Sequence, residues 1–380
     1  MISPSLSRRS LLAGAAAALT GCATRRGALV PPPAVGAARL APVHVARERI
    51  IRTVVGLRPF RPSGFVVRAE KLDAKLLIHN YGHGGAGITL SWGTAQLALD
   101  LASASEARDC AVIGCGVAGL STARLLQLRG YRPVIYARDL PPATTSNIAG
   151  GLWDPVTVYD HPRVTPEFRR QFGEASRFAF RRYQSMAGAA YGVRWMPVYS
   201  LSRDGPRQPP PPESPNSEVE PLYPDSKQLA PAENPFPVPF VYRRYSMLIE
   251  PAIYLSALLR DFELAGGRVV VREFATARDL AALPETLLFN CTGLGSRALF
   301  DDAELTPIRG QLTFLLPQPE VDYMIVGPGG NYMFPRQDGI LLGGTHERGV
   351  WSLDPDPATV DRVLRENSEA LALRNARQRA

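Results

Sequence analysis

Three glycines, Gly114, Gly116 and Gly119, stand at G-x-G-x-x-G spacing in the stretch DCAVIGCGVAGLSTARLLQLRGYRPVIYARD, residues 109–139. The chemistry this spacing serves is the cradling of a pyrophosphate. Gly114 permits a tight turn, Gly116 lets backbone approach the phosphates, and Gly119 lets a helix pack closely on a strand. A helix opening at Val117 and Ala118 would offer free N–H groups and the positive end of its dipole to the same phosphates. Asp139 lies 20 residues past the last glycine, where an acid can meet a ribose hydroxyl, and Arg138 stands beside it. The reading is a bound adenine dinucleotide, against a βαβ unit that is only structural.

Two other stretches are built from residues too small to make a core. His79-Asn80-Tyr81-Gly82-His83-Gly84-Gly85-Ala86-Gly87-Ile88-Thr89 holds four glycines in six residues, which bring backbone close to something flat or large. Pro141 to Pro155 combines the hydroxyls of Thr144, Thr145 and Ser146 with Gly150, Gly151, Leu152 and Asp154. His79 and His83 are four apart but in a glycine loop with no acidic third ligand, so no metal site is expected. Cys110, Cys115 and Cys291 lack metal spacing and read as small buried hydrophobes.

Periodicity supplies the strands and helices that carry these residues. Cys110–Ile113 reads as a buried strand, Leu120–Leu128 as a helix ended by Gly130, and Pro133–Tyr136 as a second strand. Upstream, residues 48–58 carry a β-branched run, 64–68 and 76–79 read as paired strands, and 92–102 as a helix. Downstream, helices are expected over 165–188, 254–265 and 357–371, strands over 268–272 and 286–290, and a hairpin joins 331–335 to 340–342. Residues 204–240 hold 12 of the 35 prolines and read as a poorly ordered surface loop of polyproline character.

Composition sets the broad class. With 380 residues, 45% hydrophobic and 21% charged, the chain can bury one large core or two ordinary ones. Its formal charge is 43 − 35 = +8, but no Lys/Arg run is interleaved with aromatics. The excess therefore reads as solubility or mild attraction to anionic lipid, not nucleic-acid binding. Residues 1–22 read as an export signal: Ser7-Arg8-Arg9-Ser10-Leu11-Leu12 is a twin-arginine start, and Leu19-Thr20-Gly21-Cys22 resembles a lipoprotein cleavage box that would lipidate Cys22. Residues 23–47 read as a tether. The location expected is the periplasmic side of a bacterial envelope.

The motifs VIGCGVAGLSTA, TTSNIAGGLWDP, NCTG, RGQ at 309–311, NYMFPRQDGILLGG, LRPFRP and HNYGHGGAGITLSWG resemble the D-amino-acid oxidase and D-aspartate oxidase family of FAD enzymes. The resemblance covers most of residues 48–365. It implies an α/β fold: a Rossmann-type FAD-binding domain with an interleaved mixed-sheet substrate-binding domain. The order is changed, because the LRPFRP and HNYGHGG block that ends the family's chain here precedes the dinucleotide strand. The chain reads as circularly permuted, joined at 103–108, so residues 43–52 and 370–380 should be neighbours in space. The segments are then 48–108 (the block moved from the C-terminus), 109–203 (the βαβ unit with further FAD and substrate segments), 204–240 (an insertion) and 241–380 (the remaining FAD strands, the hairpin and the final helix).

The resemblance also implies roles. Arg58 would clamp a substrate carboxylate, with Arg61 structural. Tyr332 would meet the same carboxylate, and Gly85 would present backbone near the amine. Asp154 would line the pocket, discouraging acidic side chains or meeting a basic one, or it is a plain turn residue before Pro155. Gly84, Ala86, Gly87 and Thr89 would line the flavin. Gly114, Gly116, Val117, Ala118, Gly119, Arg138 or Asp139, Thr144, Thr145, Ser146, Gly150, Gly151, Leu152, Phe274 and Thr292 would hold the rest of FAD. The family's second tyrosine, four residues before Tyr332, is replaced by Pro328. The activity implied is oxidation of a D-amino acid to an imine, then keto acid and ammonia, with oxygen or another acceptor taking the electrons. Its rivals are a dehydrogenase serving a membrane acceptor, a flavin-bearing lipoprotein without catalysis, and oxidation of glycine or a secondary amine.

Overall fold

The computed structural model describes residues 40–373. The N-terminal signal, Cys22 and most of the tether lie outside the described residues. The strands in chain order are β1 (Ile50–Phe60), β2 (Val66–Leu72), β3 (Lys75–Tyr81), β4 (Asp109–Ile113), β5 (Arg132–Ala137), β6 (Val193–Ser202), β7 (Lys227–Gln228) and β8 (Phe240–Ile249). They continue with β9 (Arg268–Val271), β10 (Leu287–Asn290), β11 (Thr306–Leu315), β12 (Met324–Val326), β13 (Tyr332–Arg336), β14 (Gly339–Gly343) and β15 (Glu347–Arg348). The longer helices are α1 (Gly87–Ala102), α2 (Val117–Leu128), α3 (Pro166–Gln184), α4 (Pro251–Leu264) and α5 (Pro357–Ala370).

The strands form two sheets. One has the order β2-β3-β10-β4-β5-β9, parallel from β3 onward with β2 added antiparallel at the edge. Its central strands are apolar between a polar residue at one end of each, Asp109 on β4 and Asn290 on β10, because both faces are covered, as parallel sheets require. The register pairs Asn290 with His79 and with Ile113, and Ile113 with Tyr136. The carboxyl ends therefore fall in line, where α/β sheets bind ligands. The second sheet runs β1-β11-β14-β13-β12-β6-β8-β7, with β15 also on β11.

Helix α1 begins at Gly87, earlier than the apolar pattern from Trp92 suggests, because the glycine run feeds straight into it. It is buried nearly all round, as a helix enclosed by neighbours must be. Several of its polar atoms are matched inside: Trp92 Nε1 donates to Tyr254 Oη at 2.5 Å, Ser121 Oγ to Ser91 Oγ at 3.0 Å, and Tyr183 Oη to the Ile88 carbonyl at 2.6 Å.

Two expectations need correction. The proline-rich segment is not a loose loop: Pro215, Val219, Tyr223, Phe236 and Val238 are buried. Its aromatic side chains are anchors that composition alone conceals, and Ser214 caps a short helical turn within it. Residues 40–47, assigned to the tether, are also packed. Leu40, Val43 and Val45 join the cluster of Val363, Leu364, Leu371 and Leu373. The Tyr323 hydroxyl donates to the Ala41 carbonyl at 2.7 Å, the His44 N–H donates to Gln318 Oε1 at 2.8 Å, and Arg47 pairs with Asp361 on α5. The first and last described stretches thus lie side by side.

Candidate active site

A cavity of about 550 Å³ runs from the carboxyl ends of the parallel sheet to one face of the mixed sheet. Its first end is built by the glycine loop. Gly114 has φ +112°, and a Cβ there would meet the Cys291 carbonyl oxygen at 2.6 Å. Gly119 does not line the cavity; a Cβ on it would sit 1.9 Å from the Gly114 oxygen, so its bareness lets α2 close on the loop. Gly116, Val117 and Ala118 line the wall, and no side chain of the N-cap residue Gly116 occupies the helix N-terminus. The Val117 N–H donates to Ser146 Oγ at 3.0 Å, which brings the Thr144-Thr145-Ser146 stretch against the loop. Thr144, Thr145, Gly150, Thr292 and Phe274 border the same space.

Arg138 and Asp139 are both at the wall. The Arg138 guanidinium donates to Asp139 at 2.9 Å and to Glu273 at 3.2 Å, so its charge is balanced by two acids. That balance leaves Arg138 itself no free charge for a phosphorylated ribose, while Arg272, also on the wall, lies with its guanidinium 4.8 Å from the centre of the Phe274 ring.

The other end is made by residues of three strands that share one face. Gly56 pairs with Gly310 and Arg58 with Ile308 across β1–β11, while Tyr332 pairs with Gly343 across β13–β14. Glycine at two of these positions leaves room for a side chain from the next strand. A Cβ on Gly310 would lie 2.4–2.7 Å from the Arg58 guanidinium, and one on Gly343 would lie 2.1 Å from Tyr332 Cζ. Each of these two side chains therefore lies over a bare glycine on the next strand.

Arg58 and Arg61, three residues apart, differ in what they touch. Arg61 donates to Asp302 at 2.8 Å and to Glu304 at 2.7 Å and is fully engaged. Arg58 makes no ion pair among the described residues, and its Nη1 is buried without a hydrogen-bond partner. An unpaired donor of this kind is costly unless a ligand acceptor completes it. Arg58, Gly85 and Tyr332 all border the one cavity.

The helix that begins at Gly87 sends its N-terminus to the wall, with Gly84, Gly85, Gly87 and Ile88 lining it. His83 lines it too. Its Nε2 is 2.9 Å from Thr94 Oγ1, and burial pushes the imidazole down to about 4, so it is neutral near pH 7. Cys115 and Cys291 border the cavity as buried thiols, each raised to about 12 by desolvation.

Several expected contacts fall elsewhere. Asp154 does not border the cavity; its carboxylate accepts from the Tyr223 hydroxyl at 2.7 Å and from the Arg244 guanidinium. The carbonyl of Gly151, a residue at φ +97°, accepts from the Ile249 N–H at 2.7 Å, and Leu152 bridges to Leu248; both dock their segment on β8 instead of lining the cavity. Ala86 is buried, and Thr89 accepts from the Asp154 N–H at 3.3 Å, so these two also act behind the wall. Sequence reasoning missed Gly310, Gly343, Ile148, Leu312 and Trp351, although RGQ and LLGG already pointed to the two glycines.

Comparison with known proteins decides the family. The chain matches the FAD dependent oxidoreductase family (DAO) over residues 35–101 and 109–377. It belongs to that family. This FAD-dependent oxidoreductase is 33% identical over 265 residues to a D-amino-acid oxidase of Rubrobacter xylanophilus, covering 68% of this chain and 75% of the relative. It is 29% identical over 263 residues to human D-aspartate oxidase, covering 67% and 73%. Among solved structures, glycine oxidase from Bacillus cereus superimposes with a TM-score of 0.51 at 16% identity, covering 71% of this chain and 79% of that one, a likeness of fold.

The residues on the wall fit FAD. Gly114, Gly116 and the N-terminus of α2, whose first N–H already donates to Ser146 Oγ, suit the pyrophosphate, and Asp139 with Glu273 suits the ribose diol. The bare backbone of Gly84–Gly87 at the start of α1 leaves room for a flat ring.

Proposed function

We propose that this oxidoreductase oxidises the α-carbon of a D-amino acid, giving an imine that water hydrolyses to a 2-keto acid and ammonia. The observation that carries this reading is the unpaired Arg58 guanidinium, lying over Gly310 in the cavity whose other end is the dinucleotide loop. A planar two-pronged donor suits a carboxylate, and the D-amino-acid oxidase and D-aspartate oxidase relatives support the substrate class. FAD held at that wall would supply a two-electron acceptor for the α-hydrogen and its electron pair, with oxygen as the final acceptor and hydrogen peroxide as the product.

The chain's own residues hold the substrate for that event. Arg58 and the Tyr332 hydroxyl take the carboxylate, and the backbone at Gly85 faces the amine. The substrate nitrogen needs only to be neutral, since its lone pair forms the new C=N bond as the hydride leaves. No basic side chain is required, which accords with a neutral, buried His83 at the wall. Anaerobic bleaching of the flavin absorbance with a panel of D- and L-amino acids tests the reading. It is lost if no D-amino acid bleaches the protein, and peroxide formation in air separates an oxidase from a dehydrogenase.

We further propose that the chain is circularly permuted. The support is the adjacency of residues 40–47 with α5 and the family match in two blocks that break at 102–108. Export and lipid attachment at Cys22 is the accompanying proposal, supported by the twin-arginine and Leu-Thr-Gly-Cys motifs. Loss of the mature protein from the membrane fraction in Cys22→Ala is the expected result, and unchanged membrane association would refute it.

A further inference from the structure

Asp154 stands just behind the cavity wall, with its backbone toward the wall and its carboxylate elsewhere. Its N–H donates to Thr89 Oγ1 at 3.3 Å, on the first turn of α1. Two and three residues on, the Val156 and Thr157 carbonyls press on Gly85 and Gly84, and the Gly85 N–H donates to Thr157 O at 2.9 Å. The side chain turns the other way into a closed cluster. Tyr223 donates to Oδ1 at 2.7 Å, Arg244 donates to Oδ2, and the Arg244 guanidinium lies 3.9 Å from the centre of the Tyr223 ring. The Arg244 side chain is 8% exposed and that of Asp154 is 18%. The three residues come from distant stretches, and Tyr223 belongs to the proline-rich segment.

The consequence is electrostatic. Among the described residues, the carboxylates that border the cavity are Asp139 and Glu273, both paired with Arg138 at the ends of β5 and β9. Nearby acids of other segments are also engaged, Asp160 with Arg348 and Asp302 with Arg61. A free carboxylate at Asp154, behind the Gly84–Gly85 wall, would attract a cationic substrate side chain or compete for Arg58 itself. Building on the amino-acid reading above, we infer that Arg244 and Tyr223 are specificity-determining residues. By sequestering Asp154 they keep the substrate chamber free of unpaired negative charge and so select D-amino acids with neutral side chains over basic ones.

The test uses the full, FAD-loaded chain and compares kcat/KM for D-alanine, D-leucine, D-lysine and D-arginine by flavin bleaching. Wild type should favour the neutral pair. Arg244→Met should raise the D-lysine to D-alanine ratio at least roughly tenfold, through the freed carboxylate. Adding Asp154→Asn to Arg244→Met should cancel that gain, which a merely structural role for Arg244 would not do. Where Arg244→Met fails to retain FAD, Tyr223→Phe decides, with an expected rise of about threefold from loss of one of the two contacts. An unchanged ratio in a variant that keeps its flavin overturns the inference, as does a wild type that prefers D-lysine. Bleaching by neutral D-amino acids with an unmoved ratio removes this inference alone. Absence of bleaching by any of them removes the functional reading and this inference with it.

Discussion

At the level of single residues, the site depends on which charges are satisfied. Arg61 is neutralised by Asp302 and Glu304, whereas Arg58 keeps an unpaired buried donor. Arg58→Ala should lower kcat/KM for the best D-amino acid by roughly 100- to 1000-fold, about 3–4 kcal/mol, while FAD content stays at the wild-type level. Near-normal turnover would take Arg58 out of the site. Arg58→Lys should recover only part of the loss, since an ammonium cannot hold both carboxylate oxygens in one plane. His83 gives a pH effect of defined sign. Its folded pKa of about 4 lies below its ordinary 6.5, so between these values the unfolded chain binds the extra proton. Stability from this group is complete above pH 6.5 and falls as the pH drops toward 4, by about 3 kcal/mol in all. Urea unfolding at about pH 7 and about pH 4.5 should show a smaller decline in His83→Gln than in wild type; an equal decline would contradict the assignment.

At the level of elements, the two ends of the cavity use the same device, a glycine on one element that accepts an atom from another. Gly119→Ala would push a methyl to 1.9 Å from the Gly114 oxygen. The helix must then lift off the loop, at about 1–3 kcal/mol of strain, and the N–H groups at the start of α2 move with it. The expected outcome is a folded protein with strongly reduced FAD content, read from the flavin absorbance after purification. Gly310→Ala does the equivalent at the other end. FAD should remain bound, but the displaced guanidinium should cost about 100-fold in kcat/KM, as misplacement near 1 Å does elsewhere. Retention of full activity in Gly310→Ala would mean that the guanidinium does not need that seat.

For the whole molecule, the relevant fact is that residues 40–47 and α5 are neighbours. A rearranged chain that starts at Asp109, runs to Leu373, joins through a short linker to Leu40 and ends at Ala102 should therefore fold and retain FAD. Its thermal midpoint is expected within several degrees of wild type, because loop closure entropy changes slowly with length. A rearranged protein that is insoluble or colourless would argue against the permutation. The proline-rich segment belongs at this scale as well. Its Tyr223 and Phe236 are packed into the two main clusters, so trimming 204–240 should destabilise the protein rather than merely shorten a loop.

The local chemistry was legible in the chain itself. G-x-G-x-x-G spacing dictates a strand–loop–helix unit wherever it is framed by apolar runs, and β4, α2 and β5 appear within a few residues of where periodicity puts them. The bare stretch 82–87 announced a close backbone approach for the same steric reason. Tertiary structure alone decided how distant stretches combine. Register, which depends on pairing partners that periodicity cannot name, placed Gly310 beneath Arg58 and Gly343 beneath Tyr332. Packing likewise turned Asp154 away from the cavity, because a buried carboxylate goes to the nearest cation and hydroxyl, and these arrive from residues 90 and 69 positions further along the chain.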